Sequence, residues 1–375
     1  MYKAVHLWLP SYLRRRRFRH AIGTVDILLA VCDHFEPLHG VDKTAALEHI
    51  RRWKREYPRL ISSYSDADGC RPRHTFFYPV EQYDSDIVSE LTQLCHLCGG
   101  EVEVHLHHDR DTAEGLRRKL EQGKADLVRH GLLSRDVAGN VRYGFIHGNW
   151  ALDDSHPQGR YCGVANELGI LKDTGCYADF TMPSAPDPTQ THITNSIYYA
   201  PDTPEPKSHD SGTLASAKET VGPTTISEIS LGHCAHDLLL VQGPLGLNWE
   251  RRKWGLLPRI ENGEITGANP PRPDRMRIWL RLGVHVLGQP NWIFIKLHTH
   301  GGIPQNATTL LADPMRCFFA HALGEYNDGS RYRFHFVSAR EMVNIIHAAE
   351  DGQTGNPGRF RDYRYRSSMS SVPAG

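Results

Sequence analysis

The chain of 375 residues carries 43 Lys and Arg against 43 Asp and Glu, so overall charge gives no argument for nucleic-acid binding. No apolar run reaches the roughly 18 residues of a transmembrane helix. The 8 Cys in a chain of this length do not indicate a disulfide framework. We therefore expect a globular cytoplasmic protein.

The first 24 residues are expected to form a separate basic arm. The apolar stretch HLWLPSYL is followed by Arg14–Arg17 and then by Arg19. A basic run after an apolar segment is compatible with peripheral contact with an anionic membrane, and equally with a solvated arm.

From residue 25 to residue 352 the sequence alternates between strand-like and helix-like segments. Runs such as VDILLAVCDH, EVEVHLHH and NWIFIKLH read as buried strands, and amphipathic segments with a spacing near 3.6 separate them. Seven or eight such units predict an α/β protein with a distorted (β/α)-barrel. Cys95 and Cys98 form a CxxC pair, but their helical context indicates two packed side chains.

Two segments interrupt this pattern. Residues from about 184 to 230 are rich in Pro, Thr, Ser and Asp, which predicts a long inserted loop. We expect this loop to cover the site, with Asn195, Tyr198 and Tyr199 as substrate contacts; the alternative is a disordered insertion far from the site. Residues 353–375 are predicted to be a disordered tail.

Clusters of His and Asp follow three of the predicted strands, and such strand ends meet at one edge of an α/β fold. Imidazole and carboxylate are the ligands of a zinc-type ion with one position left for water. The sequence therefore predicts a metal-dependent hydrolase that uses one divalent ion, with Zn²⁺ as the leading candidate. The clustered residues are Asp33, His34, His105, His107, His108, Asp111, His298 and His300.

Strand alternation separates the histidines of the second cluster. His105 and His107 share one face of the strand, and His108 points to the other. His107 lies nearer the strand end and is the preferred ligand, while His105 is either a partner of a ligand or a filler of the barrel interior. Asp111 is equally suited to ligate metal or to cap the following helix. His300 is an alternative to Asp111 or a substrate contact.

The order of these motifs resembles the polysaccharide deacetylase family of carbohydrate esterases. In V-C-D-H-F, Asp33 matches the family's catalytic base and His34 replaces its metal-binding Asp. His74-Thr75-Phe76-Phe77 is similar to the family's A-T-F-F strand. His107 and Asp111 align with its H-x-x-x-H motif. The resemblance implies a distorted barrel that removes N-acetyl groups from sugars with a metal held by His34, His107 and Asp111.

Later segments extend the resemblance. KLHTHG is similar to the family segment that provides a catalytic His, which implies that role for His298. FIHGNWALD matches the position of the family's arginine-proline segment without its Arg, and His147, Asn149 and Trp150 become candidates for substrate binding.

Four functions follow from these observations. The leading one is deacetylation of an N-acetylated sugar, glycan or lipid-linked saccharide. The second is glycoside hydrolysis, for which Asp33 and Asp179 are the candidate carboxylate pair; Asp179 is otherwise a candidate substrate contact. The third is hydrolysis of a non-sugar amide. The fourth is saccharide binding without catalysis. The sequence does not indicate an oligomeric state.

Overall fold

The computed structural model describes residues 4–14, 18, 22–218 and 237–369. The strands are β1 (Val25–His34), β2 (Thr75–Pro79), β3 (Glu101–Leu106), β4 (Ser134–Asp136), β5 (Val141–His147), β6 (Cys176–Asp179), β7 (Ile197–Ala200), β8 (Thr213–Leu214), β9 (Leu238–Val241), β10 (Gly246–Lys253), β11 (Leu257–Glu261), β12 (Glu264–Ile265), β13 (Trp292–Thr299), β14 (Tyr332–Phe336) and β15 (Tyr365–Ser367). The helices are α1 (Val5–Arg14), α2 (Lys43–Ile61), α3 (Ser85–Cys98), α4 (Ala113–Arg129), α5 (Glu167–Asp173), α6 (Pro273–Leu282), α7 (Pro304–Leu310), α8 (Asp313–Tyr326) and α9 (Ala339–Glu350).

One large, mostly parallel sheet organises the molecule. Its order is β12-β13-β1-β2-β3-β5-β6-β9-β7-β8, and β14 pairs with the first half of β1. The parallel strands bring their carboxyl ends to the same edge. The predicted α/β class is confirmed, and closure of the sheet into a barrel stays a prediction.

Both faces of the sheet are covered. All 10 residues of β1 are buried, as expected for a parallel strand packed on two sides. Leu29 and Val31 belong to the core shared with α2 to α6 and α8, whereas Leu28, Ala30 and Cys32 belong to the core shared with α9. We call these the outer and the inner face of the sheet.

Helix α9 lies entirely within the protein. A capping box starts it, in which the Ser338 side chain accepts from the Glu341 backbone and the Glu341 side chain accepts from the Ser338 backbone. All of its 12 residues are buried. Its end contacts the sheet, where the Tyr199 hydroxyl donates to Glu350 at 3.0 Å.

The N-terminal arm is partly described. Trp8 of α1 is fully buried and packs with Ala185 and Leu245, so the arm is attached to the domain. The predicted basic run extends from Arg14 into residues 15–17 and Arg19, which lie outside the described residues. No helix in the described ranges is long and apolar enough to cross a bilayer. Cys95 and Cys98 are buried free cysteines on α3, as predicted.

The two segments expected to be irregular contain regular structure. Within 184–218, β7 joins the sheet antiparallel to β9; residues 219–236 lie outside the described residues. Residues 353–369, assigned by the sequence to a disordered tail, instead pack on α9, and β15 pairs with β4. The buried Arg361 fixes this segment by donating to the Phe336 carbonyl at 2.6 Å and to Asp66 at 3.1 Å. Residues 370–375 are not among those described.

Candidate metal centre

Three buried side chains converge at the carboxyl edge of the sheet. His34 ends β1, and Glu36 follows two residues later. His105 lies near the end of β3. One ligand-type atom from each lies within 4.8 Å of the other two. We call His34, Glu36 and His105 the first centre.

The protonation states of His105 and Glu36 favour the binding of a cation between them. His105 Nδ1 donates to the Ile146 carbonyl at 2.7 Å, so in the neutral ring the lone pair is on Nε2, which faces Glu36 Oε1 at 3.2 Å. Burial alone would raise the pKa of Glu36, but the hydrogen bond to His105 and the nearby imidazoles lower it to about 2. Either a second proton on the His105 ring or a bound metal ion must therefore lie between His105 Nε2 and Glu36 Oε1.

His34 supplies a second indication. Its Nε2 is buried and has no hydrogen-bond partner among the described residues. Burial, together with His300 and the other neighbouring imidazoles, places the pKa of His34 well below its ordinary value. A neutral imidazole with an unpartnered nitrogen is suited to bind metal.

Aromatic rings surround the first centre. The ring of His300 lies 4.6 Å from that of His34, while His298 lies 6.1 Å and Trp150 6.3 Å away. His107 pairs through Nδ1 with Glu81 at 2.7 Å, and its Nε2 lies 3.6 Å from Glu36. The predicted residues His34, His107, His298, His300 and Trp150 are therefore brought together.

Close backbone contacts hold this arrangement. A Cβ added to Gly148 would lie 2.3 Å from the His107 ring, and one added to Gly302 would lie 2.6 Å from the Glu36 backbone. The loop after β5 therefore packs directly against His107, and the loop after β13 packs directly against Glu36. Glycine is the residue that permits such an approach.

The loop after β5 has unusual backbone conformation. Asn149, Trp150, Asp153 and Asp154 have φ values of 55°, 56°, 57° and 48°. Left-handed backbone is rare for a bulky residue such as Trp and costs on the order of 1–3 kcal/mol per residue. Surrounding contacts must therefore stabilise the loop that places Trp150 beside the first centre; Asn149 is exposed.

Asp33 and His34 point to opposite faces of β1. Asp33 is fully buried on the outer face, where it accepts from the Gly301 backbone at 2.6 Å and pairs with His74 Nε2 at 2.8 Å. Adjacent residues of a strand alternate in this way. Both oxygens of the carboxylate predicted to be the base are thus engaged with His74 and Gly301.

Asp111 and His147 lie with a different group. Asp111 Oδ2 is 3.3 Å from His108 Nδ1 and accepts from Lys119 at 2.7 Å. His108 and His147 approach Glu167, and Cys162 completes a second buried cluster. His34, His107 and Asp111 are therefore not assembled as one ligand set.

Other predicted substrate contacts are occupied within the fold. Asp179 accepts from the Thr181 hydroxyl at 2.7 Å, and burial raises its pKa to about 7. Asn195 bonds to both backbone groups of Leu245 and lines a cavity of about 500 Å³. The Tyr198 hydroxyl donates to the His209 carbonyl at 2.8 Å.

A third acidic cluster illustrates the contrast. Asp66, Asp68 and His335 lie close together, but Arg361 donates to both aspartates at 3.1 and 3.0 Å. His335 also pairs with Asp68 at 2.8 Å. The charge of this group is balanced by protein cations, so it gives no indication of a metal ion.

Sequence reasoning did not select Glu36, Cys162 or Glu167. Glu36 had a visible signal, because it lies two residues after His34 in the segment HFEP. Cys162 and Glu167 follow no strand end, and only the folded loop brings them to His108 and His147. No protein-family model and no curated protein matches the chain.

Proposed function

We propose that this protein is a metal-dependent hydrolase that removes N-acetyl groups from a saccharide. The observation that carries the proposal is the first centre, in which an ionised carboxylate and two imidazole nitrogens face one another at the carboxyl edge of a parallel sheet. Ligands would be His34, Glu36 and His105. The donor set of two His and one carboxylate suits zinc and leaves a position for water.

The bound ion would lower the pKa of water toward neutrality and polarise the acetyl carbonyl. His300 is the best-placed group to move the proton. Burial lowers its pKa, so the resting ring is neutral and can accept a proton from water. The resulting imidazolium can then donate that proton to the leaving nitrogen. His300 would thus serve first as the base and then as the acid.

Two further side chains suit the substrate. Trp150 is half-buried beside His34 and His300 and offers an aromatic face to a sugar ring. His298 Nδ1 is buried without a partner in the described ranges and can bond to a substrate oxygen. The resemblance to polysaccharide deacetylases motivates the choice of an N-acetyl group over other amides.

The test combines metal analysis with acetate release from a panel of N-acetylated oligosaccharides. Wild-type protein loaded with zinc should release acetate, and His34→Ala and His105→Ala should lose the ion and activity together. His96→Ala, on the exposed side of α3, is the matched control. Full metal content and unchanged activity in both His34→Ala and His105→Ala would refute the proposal.

A further inference from the structure

A second cluster of ligand-type residues lies on the outer face of the sheet. His108 follows β3, His147 ends β5, Cys162 lies in the connecting loop and Glu167 begins α5. All four are buried, and one ligand-type atom from each lies within 4.8 Å of the others. None of them belongs to the first centre.

The distances between the four side chains are compatible with binding of one metal ion. Glu167 Oε1 lies 3.1 Å from His108 Nε2, while Glu167 Oε2 lies 3.5 Å from His147 Nε2 and 3.6 Å from Cys162 Sγ. Ligands at zinc distances in a tetrahedron are separated by roughly 3.3–3.8 Å. Two of the three distances fall in this range, and all four side chains are close enough to contact one ion.

In the neutral ring of His147, Nε2 has no proton to donate to the Glu167 carboxylate that it faces. Its Nδ1 donates to the Gly148 carbonyl at 2.5 Å, which leaves the lone pair of the neutral ring on Nε2. This Nε2 is fully buried, faces the Glu167 carboxylate and has no hydrogen-bond partner among the described residues. A buried nitrogen lone pair that faces a buried carboxylate is unfavourable unless a cation lies between the two groups.

His108 has a carboxylate behind its ring. Its Nδ1 lies 3.3 Å from Asp111 Oδ2 without the geometry of a hydrogen bond, on the side opposite the nitrogen that approaches Glu167. Metal-binding histidines commonly donate their second N–H to such a carboxylate, which fixes the ring and raises its basicity. Lys119 in turn holds Asp111 at 2.7 Å.

We propose that His108, His147, Cys162 and Glu167 bind a second zinc-type ion, which fastens the loop of residues 148–166 to the sheet. This second centre has four protein ligands, so the site is closed and structural. Because Glu167 also accepts from the Asp153 backbone at 2.6 Å, the ion would stabilise the left-handed segment that carries Trp150.

Cobalt replacement separates the second centre from the first. Only the second centre contains a cysteine, so Co²⁺-loaded wild-type protein should show a sulfur-to-cobalt charge-transfer band and bind two equivalents of metal. Cys162→Ala should lose the band and one equivalent, whereas Cys317→Ser, at an exposed free cysteine, should keep both.

His34→Ala is a second test that depends neither on the proposed function nor on the folding of Cys162→Ala, because it alters only the first centre. That variant should lose one equivalent and retain the band. A wild-type protein without the band, or a folded Cys162→Ala that retains it, would overturn the second centre while leaving the first untouched. A band lost in His34→Ala would also contradict it.

Discussion

Glu103 is a buried carboxyl group whose surroundings favour the protonated form. It lies on β3 and accepts from the Gly144 backbone at 2.5 Å, with the Tyr177 hydroxyl at 2.6 Å from its other oxygen. Burial raises the pKa of Glu103 to about 8. Between the unfolded pKa and this value, the folded state retains a proton that the unfolded state releases, so stability falls as pH rises.

Glu103→Gln should therefore flatten the pH dependence of stability. The amide oxygen can accept from the Gly144 backbone, and the amide NH2 can donate to the Tyr177 hydroxyl once that hydroxyl rotates to accept. We expect the variant to be more stable than wild type by roughly 1–3 kcal/mol at pH 8, with little difference near pH 5. Urea unfolding at several pH values measures this. Glu114→Gln, at an exposed position, is the control; an identical pH profile for Glu103→Gln and wild type would count against a protonated Glu103.

Asp33 offers a second test at the level of one side chain. Its bonds to His74 and Gly301 connect β1 with the loop that carries His300. If it positions that loop, Asp33→Asn should cost about 1–3 kcal/mol of unfolding free energy and change kcat by less than about tenfold. The base role implied by the resemblance instead requires a loss of roughly 10²-fold in kcat with stability preserved.

His74→Gln distinguishes the two roles further. A positioning role for Asp33 predicts that this variant shows a similar loss of stability, because it disrupts the same hydrogen bond. Kinetics on an N-acetylated oligosaccharide, together with urea unfolding, would decide. A base role predicts that Asp33→Asn loses far more activity than His74→Gln, whereas a positioning role predicts similar, small losses in both.

At the scale of elements, the loops after β5 and β13 determine the geometry of the first centre. Gly302→Ala would place a Cβ 2.6 Å from the Glu36 backbone, which cannot move aside as a flexible side chain can. We expect this variant to bind metal at least tenfold more weakly. Competition with a chromophoric chelator measures the affinity.

Gly324→Ala is a matched control for Gly302→Ala. Gly324 lies in α8 and a Cβ there would meet nothing within 4 Å. Alanine is the better helix former, so this change should raise stability by about 0.5–1 kcal/mol and leave metal affinity unchanged. Equal metal affinity in both variants would show that the Gly302 contact does not matter.

The strand ends show how far the sequence predicts the site. Parallel strands buried on both faces produce long apolar runs, so β1, β3 and β13 are visible in the sequence, and so are the histidines that follow them. Asp33 and His34 are adjacent in the sequence, but strand alternation sends the two side chains to opposite faces. Cys162 and Glu167 are brought to His147 only by an irregular loop, which no periodicity encodes.

At the scale of the whole molecule, the C-terminal segment is part of the core. Its composition suggested disorder, but the buried Arg361 pairs with Asp66 and Asp68, which lie far away in sequence, and with Glu341 of α9. Tertiary ion pairs of this kind leave no local pattern. The same applies to β7, whose pairing with β9 is set by the sheet and is hidden by the Pro-rich context.

Arg361→Ala should reveal the contribution of this segment. Removal of the guanidinium leaves buried carboxylates without their partner, at a cost of about 3–5 kcal/mol. Thermal unfolding should show a markedly lower Tm. Arg366→Ala, at an exposed position of β15, should unfold like wild type, and equal stability of the two variants would exclude a structural role for Arg361.

The position of α9 has a consequence for synthesis on the ribosome. Strand β1 acquires its partners β13 and β14 only after a long stretch of chain has been translated, and the Asp26–Arg333 ion pair closes a span of 307 residues. Until α9 emerges, the described part of the inner face lacks the helix that packs on it, so the nascent chain exposes apolar surface. Such long-range closure slows folding and favours aggregation. Stable folding of this sheet therefore waits until β13, β14 and α9 have been synthesised.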